Sequence, residues 1–171
     1  QLPLGMRFLH TSDWHLGQKL LFTHREEEHG QALDWLHRMI VEHQVDALIV
    51  AGDIFDIGNP PNYARRLYYG FLTGLRTTSC RHVVITGGNH DSPSMLDAPR
   101  PLLQALNIHV VGAATGEPSD ELIELLDGQG KVEAVVAAVP FLRDRDLRYG
   151  VAGEGGQERQ ERIQEGIRRH Y

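Results

Sequence analysis

Three short polar motifs in this 171-residue chain contain residue types that bind metal ions. Each motif follows a short run of apolar and branched residues. The motifs are Asp13-Trp14-His15, Gly52-Asp53 and Gly88-Asn89-His90-Asp91. Carboxylate and amide oxygens together with imidazole nitrogens are what a pair of divalent metals requires. A metal-dependent phosphoesterase is therefore the leading hypothesis.

The first motif offers a carboxylate and an imidazole. Asp13 and His15 are two residues apart on an extended segment, so both side chains can point to the same side. Such a pair is half of a site for manganese, iron or zinc. The alternative is a helix cap at Asp13 and a surface imidazole at His15, and this motif alone favours neither.

The second motif is short and weak by itself, because Gly-Asp pairs are common in loops. Gly52 permits a tight backbone turn, and a carboxylate at Asp53 can bridge two cations. We expect Asp56 to act behind the ligands as a supporting acceptor, with a simple turn residue as the alternative.

The third motif is the most specific. Asn89 offers a hard oxygen ligand without charge, and His90 can protonate a leaving oxygen or stabilise phosphate charge. We predict that Asp91 orients the imidazole of His90. An exposed turn is the alternative for this motif alone, but three such motifs in one chain make coincidence a poor explanation.

The three motifs need a scaffold that brings them together, and the chain predicts an α/β fold with a mainly parallel sheet. The runs before the motifs are too short for helices, so we expect three buried parallel strands. These runs cover 7–10, 47–51 and 83–86, with a further strand over 108–111. Parallel strands end at one edge of the sheet, where α/β proteins hold ligands, so the motifs should meet there.

Helical periodicity and proline positions predict the elements between the strands. We expect helices over 25–43, from Pro60 onwards, over 101–106 and over 157–171. The last is highly charged, with Ile163 and Ile167 as a thin buried stripe.

The C-terminal half contains a predicted antiparallel hairpin. Two apolar segments, 122–126 and 132–139, flank a turn-forming cluster at 127–130. This hairpin should either extend the first sheet or begin a second one. Glycines over 150–156 predict a mobile loop.

Composition limits the other possibilities. A net charge of −6 argues against a phosphate-binding surface spread over the whole chain. No apolar run is long enough to span a bilayer, so we expect no membrane association. A single cysteine, Cys80, fits a reducing cytoplasm. Residues 1–5 precede Met6 and are interpreted as a tag remnant or a disordered extension.

The order of the three motifs resembles the calcineurin-like metallophosphoesterase superfamily. Longer stretches resemble the bacterial SbcD-type nuclease subunits within it: HTSDWHLG at 10–17, AGDIFD at 51–56, PPNYAR at 60–65 and PFLRDRD at 140–146. The resemblance extends from Met6 to Tyr171. It implies a β-sandwich flanked by helices, of which residues 6–171 form the N-terminal portion.

The resemblance also implies an activity and partners. It implies a manganese-dependent DNA nuclease with two metal ions, active on duplex ends, single strands and hairpins in DNA repair and recombination. The partners implied are DNA, an SbcC-type ATPase and a second copy of the nuclease chain. Asp13 and His15 would bind one metal, Asp53 would bridge both, and Asn89 would bind the second. His90 would contact the scissile phosphate as the catalytic histidine.

The chain departs from this pattern in one respect. SbcD-type proteins supply further histidine ligands from a Gly-His strand end and a Gly-His-x-His loop, and neither occurs here. We therefore expect weak manganese binding, little or no nuclease activity, and an exposed apolar sheet face or edge. Two alternatives stay open: a small-molecule or cyclic-nucleotide phosphodiesterase, and a non-catalytic interaction module.

Overall fold

The computed structural model describes residues 5–147 and 155–171, and its elements alternate between strands and helices. Residues 1–4 of the predicted extension and 150–154 of the predicted loop therefore lie outside the described residues, whereas Gly156 of that loop begins the last helix. The strands are β1 Phe8–Thr11, β2 Lys19–Leu20, β3 Thr23–His24, β4 Ala47–Ala51, β5 His82–Thr86, β6 Ile108–Val111, β7 Leu122–Leu126 and β8 Val132–Ala137. The helices are α1 Glu26–Glu42, α2 Asn62–Gly74, α3 Pro93–Asp97, α4 Arg100–Gln104, α5 Asp144–Leu147 and α6 Gly156–His170.

Four parallel strands form the central sheet in the order β1-β4-β5-β6. Every residue of β5 is buried, as is most of β4, which explains their branched apolar sequences. The prediction of a buried strand is wrong for β1, whose Phe8 is exposed. β1 is an edge strand whose Phe8 belongs to neither hydrophobic core, whereas the other edge strand, β6, contributes Ile108, Val110 and Val111 to them.

Two amphipathic helices cover one face of this sheet. Leu33, Leu36 and Ile40 of α1 are buried, as is Tyr68 of α2, and they share one core with residues of β4 and β5. The helix predicted from Pro60 onwards begins two residues later, because Pro61 occupies the cap position in an extended conformation.

The β7–β8 hairpin covers the opposite face as a separate two-stranded sheet, which is one of the two predicted arrangements. Its inward residue Leu125 packs on Ala47, Val84 and Val111. The outward-facing residues of the hairpin include four exposed apolar side chains, those of Leu122, Leu126, Val132 and Val135. The exposed apolar face expected from the sequence is therefore present on this hairpin.

The structure differs from the local predictions at several points. The helix predicted over 101–106 is present as the one-turn helix α4, which begins one residue earlier, and a second one-turn helix, α3, precedes it without having been predicted; each has a proline in its first turn. In α6, the buried residue is Gly166, which contacts Leu147, whereas Ile167 is exposed. The short β2–β3 hairpin was not predicted. No helix among the described residues is long and apolar enough to cross a membrane.

Candidate metal centre

The loops that follow β1 and β4 run side by side and continue the parallel pairing of the two strands. The backbone N–H of Asp13 donates to the carbonyl of Gly52 at 3.1 Å, and that of His15 to the carbonyl of Asp53 at 2.9 Å. One residue further on, Leu16 donates to Ile54 at 2.9 Å. These hydrogen bonds hold the first two motifs next to each other at the carboxyl edge of the sheet.

Three candidate ligands have a backbone conformation that side chains rarely adopt. The φ angles are 55° at Asp13, 45° at His15 and 48° at Asp53. The left-handed region costs an L-residue roughly 1–2 kcal/mol, so it persists only where surrounding contacts impose it. Such strain is concentrated at functional sites, and here it turns three ligand-type side chains towards one point.

The side chains of these residues converge. His15 Nε2 lies 3.9 Å from Asp13 Oδ1 and 3.9 Å from Asp53 Oδ2. The ligand atoms of the three residues are all within 4.8 Å of one another. Metal–ligand bonds of about 2.0–2.2 Å place two ligands of one ion roughly 3–4 Å apart, so this donor set fits a divalent metal. The side chain of Asp13 is 66% exposed and that of Asp53 only 13%, so one flank of the centre is open to solvent.

Asp56 lies behind His15, where a supporting acceptor is expected. Its Oδ1 atom is 3.4 Å from His15 Nδ1, a buried nitrogen without a hydrogen bond among the described residues. A carboxylate at this side favours a proton on Nδ1 and leaves Nε2 free to bind a metal. Gln18 donates to Asp56 at 3.5 Å and accepts from Arg25 at 3.0 Å. Asp56 also belongs to a second possible metal-binding group with His15 and His90.

His90 is exposed at the open flank of the centre. Its Nδ1 donates to the backbone carbonyl of Asp56 at 2.8 Å, and its ring packs edge-on against that of His15 at 5.0 Å. The hydrogen bond to the Asp56 carbonyl, with a smaller contribution from the carboxylate of Asp53, raises the pKa of His90 above its usual value. Its Nε2 is therefore the nitrogen left to meet a substrate.

The prediction that Asp91 orients His90 is wrong. The carboxylate of Asp91 is buried and accepts three backbone hydrogen bonds, from Ile54 at 3.1 Å, Phe55 at 2.9 Å and Gly88 at 2.9 Å. These N–H groups belong to two loops that would otherwise bury unpaired donors. Asp91 therefore joins the loops, and the orienting group of His90 is the carbonyl of Asp56.

Gly88 is required by the close approach of the second and third motifs. A Cβ atom at this position would overlap with the carboxylate and the backbone nitrogen of Asp53. Asp53 Oδ1 in turn accepts the backbone N–H of His90 at 3.0 Å. The glycine allows the two loops to make this contact.

Sequence reasoning assigned no role to Arg143. Its Nη2 donates to the carbonyl of Gly88 at 3.2 Å and to that of Asp91 at 3.1 Å. Nη1 is buried without a hydrogen-bond partner among the described residues. Arg143 therefore holds both ends of the segment that contains Asn89 and His90. The only sequence signal was its place in the stretch at 140–146.

Asn89 is the last of the predicted ligands, and His170 is a histidine near the end of the chain that lies elsewhere. Asn89 is exposed between Gly88 and His90, and its side chain makes no hydrogen bond with the described residues, so it stays available as a ligand. His170 is not a ligand candidate, because its Nε2 lies 2.8 Å from Glu121 Oε2 in a buried pair.

Comparison with known proteins identifies the family. A model of the calcineurin-like phosphoesterases matches residues 6–148. The chain belongs to this family. The predicted superfamily and the predicted α/β class with a mainly parallel sheet are thus confirmed.

Several curated relatives of this phosphoesterase are nucleases or repair proteins. It is 46% identical over 166 residues to the SbcD subunit of the nuclease SbcCD of Escherichia coli K12, covering 97% of this chain and 40% of the relative. The corresponding protein of Rhodobacter capsulatus is 45% identical over 148 residues, covering 83% and 36%. The DNA double-strand break repair protein Mre11 of Sulfurisphaera tokodaii is 32% identical over 105 residues, covering 60% and 27%. The chain thus spans less than half the length of these relatives.

Proposed function

We propose that this phosphoesterase is a two-metal-dependent DNA nuclease subunit. Its substrates would be duplex ends, single strands and hairpins, in DNA repair and recombination. The names of its relatives, the SbcD subunit of the nuclease SbcCD and the repair protein Mre11, support this choice of substrate class. By the same likeness we propose an SbcC-type ATPase and a second copy of this chain as partners, and a bacterial cytoplasmic location.

The main support for a hydrolytic metal site is the convergence of Asp13, His15 and Asp53. Their ligand atoms lie within 4.8 Å of one another on strained backbone, which surface carboxylates do not require. We propose that Asp13 and His15 hold one cation, that Asp53 bridges to a second, and that Asn89 binds the second. We propose Mn²⁺ as the ion by the resemblance to SbcD-type nuclease subunits, because the ligand types by themselves fit manganese, iron or zinc alike.

The residues around the ligands have separate roles in this proposal. The bound cations would supply Lewis-acid stabilisation of the negative charge that develops on the phosphodiester. His90 faces the open flank through Nε2, where a proton can be given to the leaving oxygen or a hydrogen bond donated to the phosphate. Asp56 holds His15 and, through its carbonyl, His90. Asp91 and Arg143 hold the loops that carry the ligands.

The openness of the centre favours a polynucleotide over a small ester. Asp13 is 66% exposed, and Asn89 and His90 are exposed as well, so these described residues form no enclosed pocket of the kind that selects a small molecule. Small-ligand sites usually bury most of the ligand surface. A cyclic-nucleotide phosphodiesterase remains the alternative, because it would use the same ligands.

Manganese binding and cleavage together test the proposal. We expect Asp53→Asn to weaken Mn²⁺ affinity by about tenfold or more, measured by loss of the electron paramagnetic resonance signal of free Mn²⁺. Asp34→Asn, an exposed carboxylate on α1, should leave that affinity unchanged. Equal affinities in all three proteins would refute the metal site.

Substrate choice is tested under single-turnover conditions with the protein in excess. We expect slow Mn²⁺-dependent cleavage of a labelled DNA hairpin, detectable only with the protein in excess because the later histidine ligands do not occur in this chain, and abolished by Asp53→Asn and by chelation. Hydrolysis of a cyclic nucleotide with the hairpin left intact would favour the alternative. Tight DNA binding with no hydrolysis of either substrate would favour the interaction module.

A further inference from the structure

The β2–β3 hairpin exposes three consecutive apolar side chains at its tip. We call residues 19–24 the finger; its strands pair Lys19 with His24 and Leu20 with Thr23, and Leu21 and Phe22 form the turn. Leu20 is 66% exposed, Leu21 86% and Phe22 96%. Leu21 also has a φ of 56°, a conformation unfavourable for leucine. Neither burial nor backbone preference in the described fold explains these residue types at the tip.

The finger is joined directly to the metal centre. It begins just after His15, whose carbonyl accepts the N–H of Gln18 at 3.0 Å. The Gln18 side chain bonds to both Asp56 and Arg25 at the base of the finger. On the other strand, the ring of His24 packs edge-on against Tyr63 at 5.3 Å. Two-stranded hairpins are marginal alone, so these contacts at the base are what hold the tip beside the site.

Charge and area favour a nucleic acid as the occupant. The segment from Gln18 to Arg25 contains Lys19, Arg25 and no acidic residue, within a chain of net charge −6. Acidic residues resume only after Arg25, at Glu26, Glu27 and Glu28 in the first turn of α1, and Glu26 is paired with Arg66 at 2.7 Å. The three exposed side chains present an apolar surface on the order of 400 Å², about half of the surface area that one partner buries in a stable protein–protein interface. That area suits one or two unstacked bases with their phosphates on the flanking cations.

We propose that Leu21 and Phe22 insert against the bases of DNA next to the scissile phosphate and hold a strand end or hairpin loop open. This inference rests on the proposed nuclease function and adds a strand-separating contact to it. The finger acts as a positioning element: it touches bases and takes no part in bond cleavage.

Base unstacking can be measured without cleavage. A DNA hairpin with 2-aminopurine in its loop or at its end is titrated with the protein in EDTA. We expect wild type to raise the 2-aminopurine fluorescence, and Phe22→Ala to lose this rise and to bind the hairpin about 5- to 100-fold more weakly. Leu21→Asn, whose side chain tolerates the left-handed backbone, should show the same loss. Leu102→Ala, which changes another exposed leucine, on α4 (67% exposed), is the control and should behave as wild type.

Two variants distinguish the proposed role of the finger from that of the metal site. Asp53→Asn should lose Mn²⁺ binding yet keep the fluorescence rise, and Phe22→Ala should keep Mn²⁺ binding. Loss of cleavage with intact unstacking would therefore count against the nuclease proposal and not against the finger. Unchanged affinity and fluorescence in Phe22→Ala would overturn the finger proposal. So would a change confined to self-association in analytical ultracentrifugation, which would indicate a protein contact.

Discussion

Replacement of Asp91 should destabilise the protein more than replacement of any exposed carboxylate. The side chain is only 4% exposed and accepts the N–H groups of Ile54, Phe55 and Gly88. In Asp91→Ala all three donors lose their acceptor inside the fold. In Asp91→Asn the amide oxygen can keep the two hydrogen bonds now made to Oδ2, but the amide nitrogen then faces the N–H of Phe55.

The size of the destabilisation follows from the number of N–H groups that lose their acceptor. A hydrogen bond to a charged group contributes about 1.5–3 kcal/mol, and a buried donor left unpaired costs about 1–3 kcal/mol. Three donors at about 1.5 kcal/mol each predict a loss of about 4–5 kcal/mol for Asp91→Ala. In Asp91→Asn the amide nitrogen opposes the N–H of Phe55, and the neutral amide oxygen is a weaker acceptor than the carboxylate. Together these changes predict a loss of about 2–3 kcal/mol in the free energy of unfolding. Since domains are stable by about 5–15 kcal/mol, the alanine variant should be close to unfolding and the asparagine variant measurable.

Urea unfolding followed by tryptophan fluorescence gives the free energy directly. Trp14 is a suitable probe because its ring packs edge-on against Phe71 at 5.4 Å in the core. Asp34→Asn on α1 is the control, with an expected change within about 0.5 kcal/mol. If Asp91→Asn also changed the free energy of unfolding by less than about 0.5 kcal/mol, the account of Asp91 as the joint between the two loops would be wrong.

Three further expectations concern the loop clamp, metal affinity and pH. Arg143→Met should lower the affinity for Mn²⁺ by about tenfold, because the segment that carries Asn89 loses its two hydrogen bonds to the guanidinium group. Arg143→Lys restores one donor and should recover part of that affinity. If both variants bound Mn²⁺ as tightly as wild type, the role of Arg143 in holding this segment would be excluded. The chain alone should bind Mn²⁺ weakly, because it contains neither the Gly-His strand end nor the Gly-His-x-His loop that the resemblance implies as further ligands. Tight binding of two ions in calorimetry would contradict this. Burial, with a smaller effect of His82, lowers the pKa of His109 from 6.5. As the pH falls, His109 therefore becomes protonated in the unfolded chain before it does so in the folded protein. We expect the free energy of unfolding of wild type to fall relative to that of His109→Gln as the pH drops through about 6.5. A difference between the two free energies that stays constant from about pH 7 to 5 would contradict this.

Much of the candidate site was predictable because its candidate ligands stand at the ends of recognisable strands. The apolar runs before Asp13, Asp53 and Asn89 identify β1, β4 and β5, and parallel strands end at one edge. The amphipathic pattern of α1 was equally clear, since its spacing alone determines which residues face the core. These are local signals, which a single sequence carries.

Other features depended on partners distant in sequence. Asp91 follows His90 directly, yet its acceptor atoms meet N–H groups at positions 54 and 55. Arg143 reaches the ends of a loop more than fifty residues earlier in the chain. The finger was missed because Leu21 and Phe22 lack the residue types that signal a tight hairpin turn.

The sequence by itself determined the ligand types, their order at strand ends and the helices between them, because these follow from residue chemistry and short-range periodicity. Only the tertiary structure decided that β1 is an edge strand, that Asp91 accepts backbone hydrogen bonds instead of orienting His90, and that an apolar finger stands beside the candidate metal centre. Those outcomes depend on which buried donors need an acceptor and which surfaces find a neighbour when distant segments pack together.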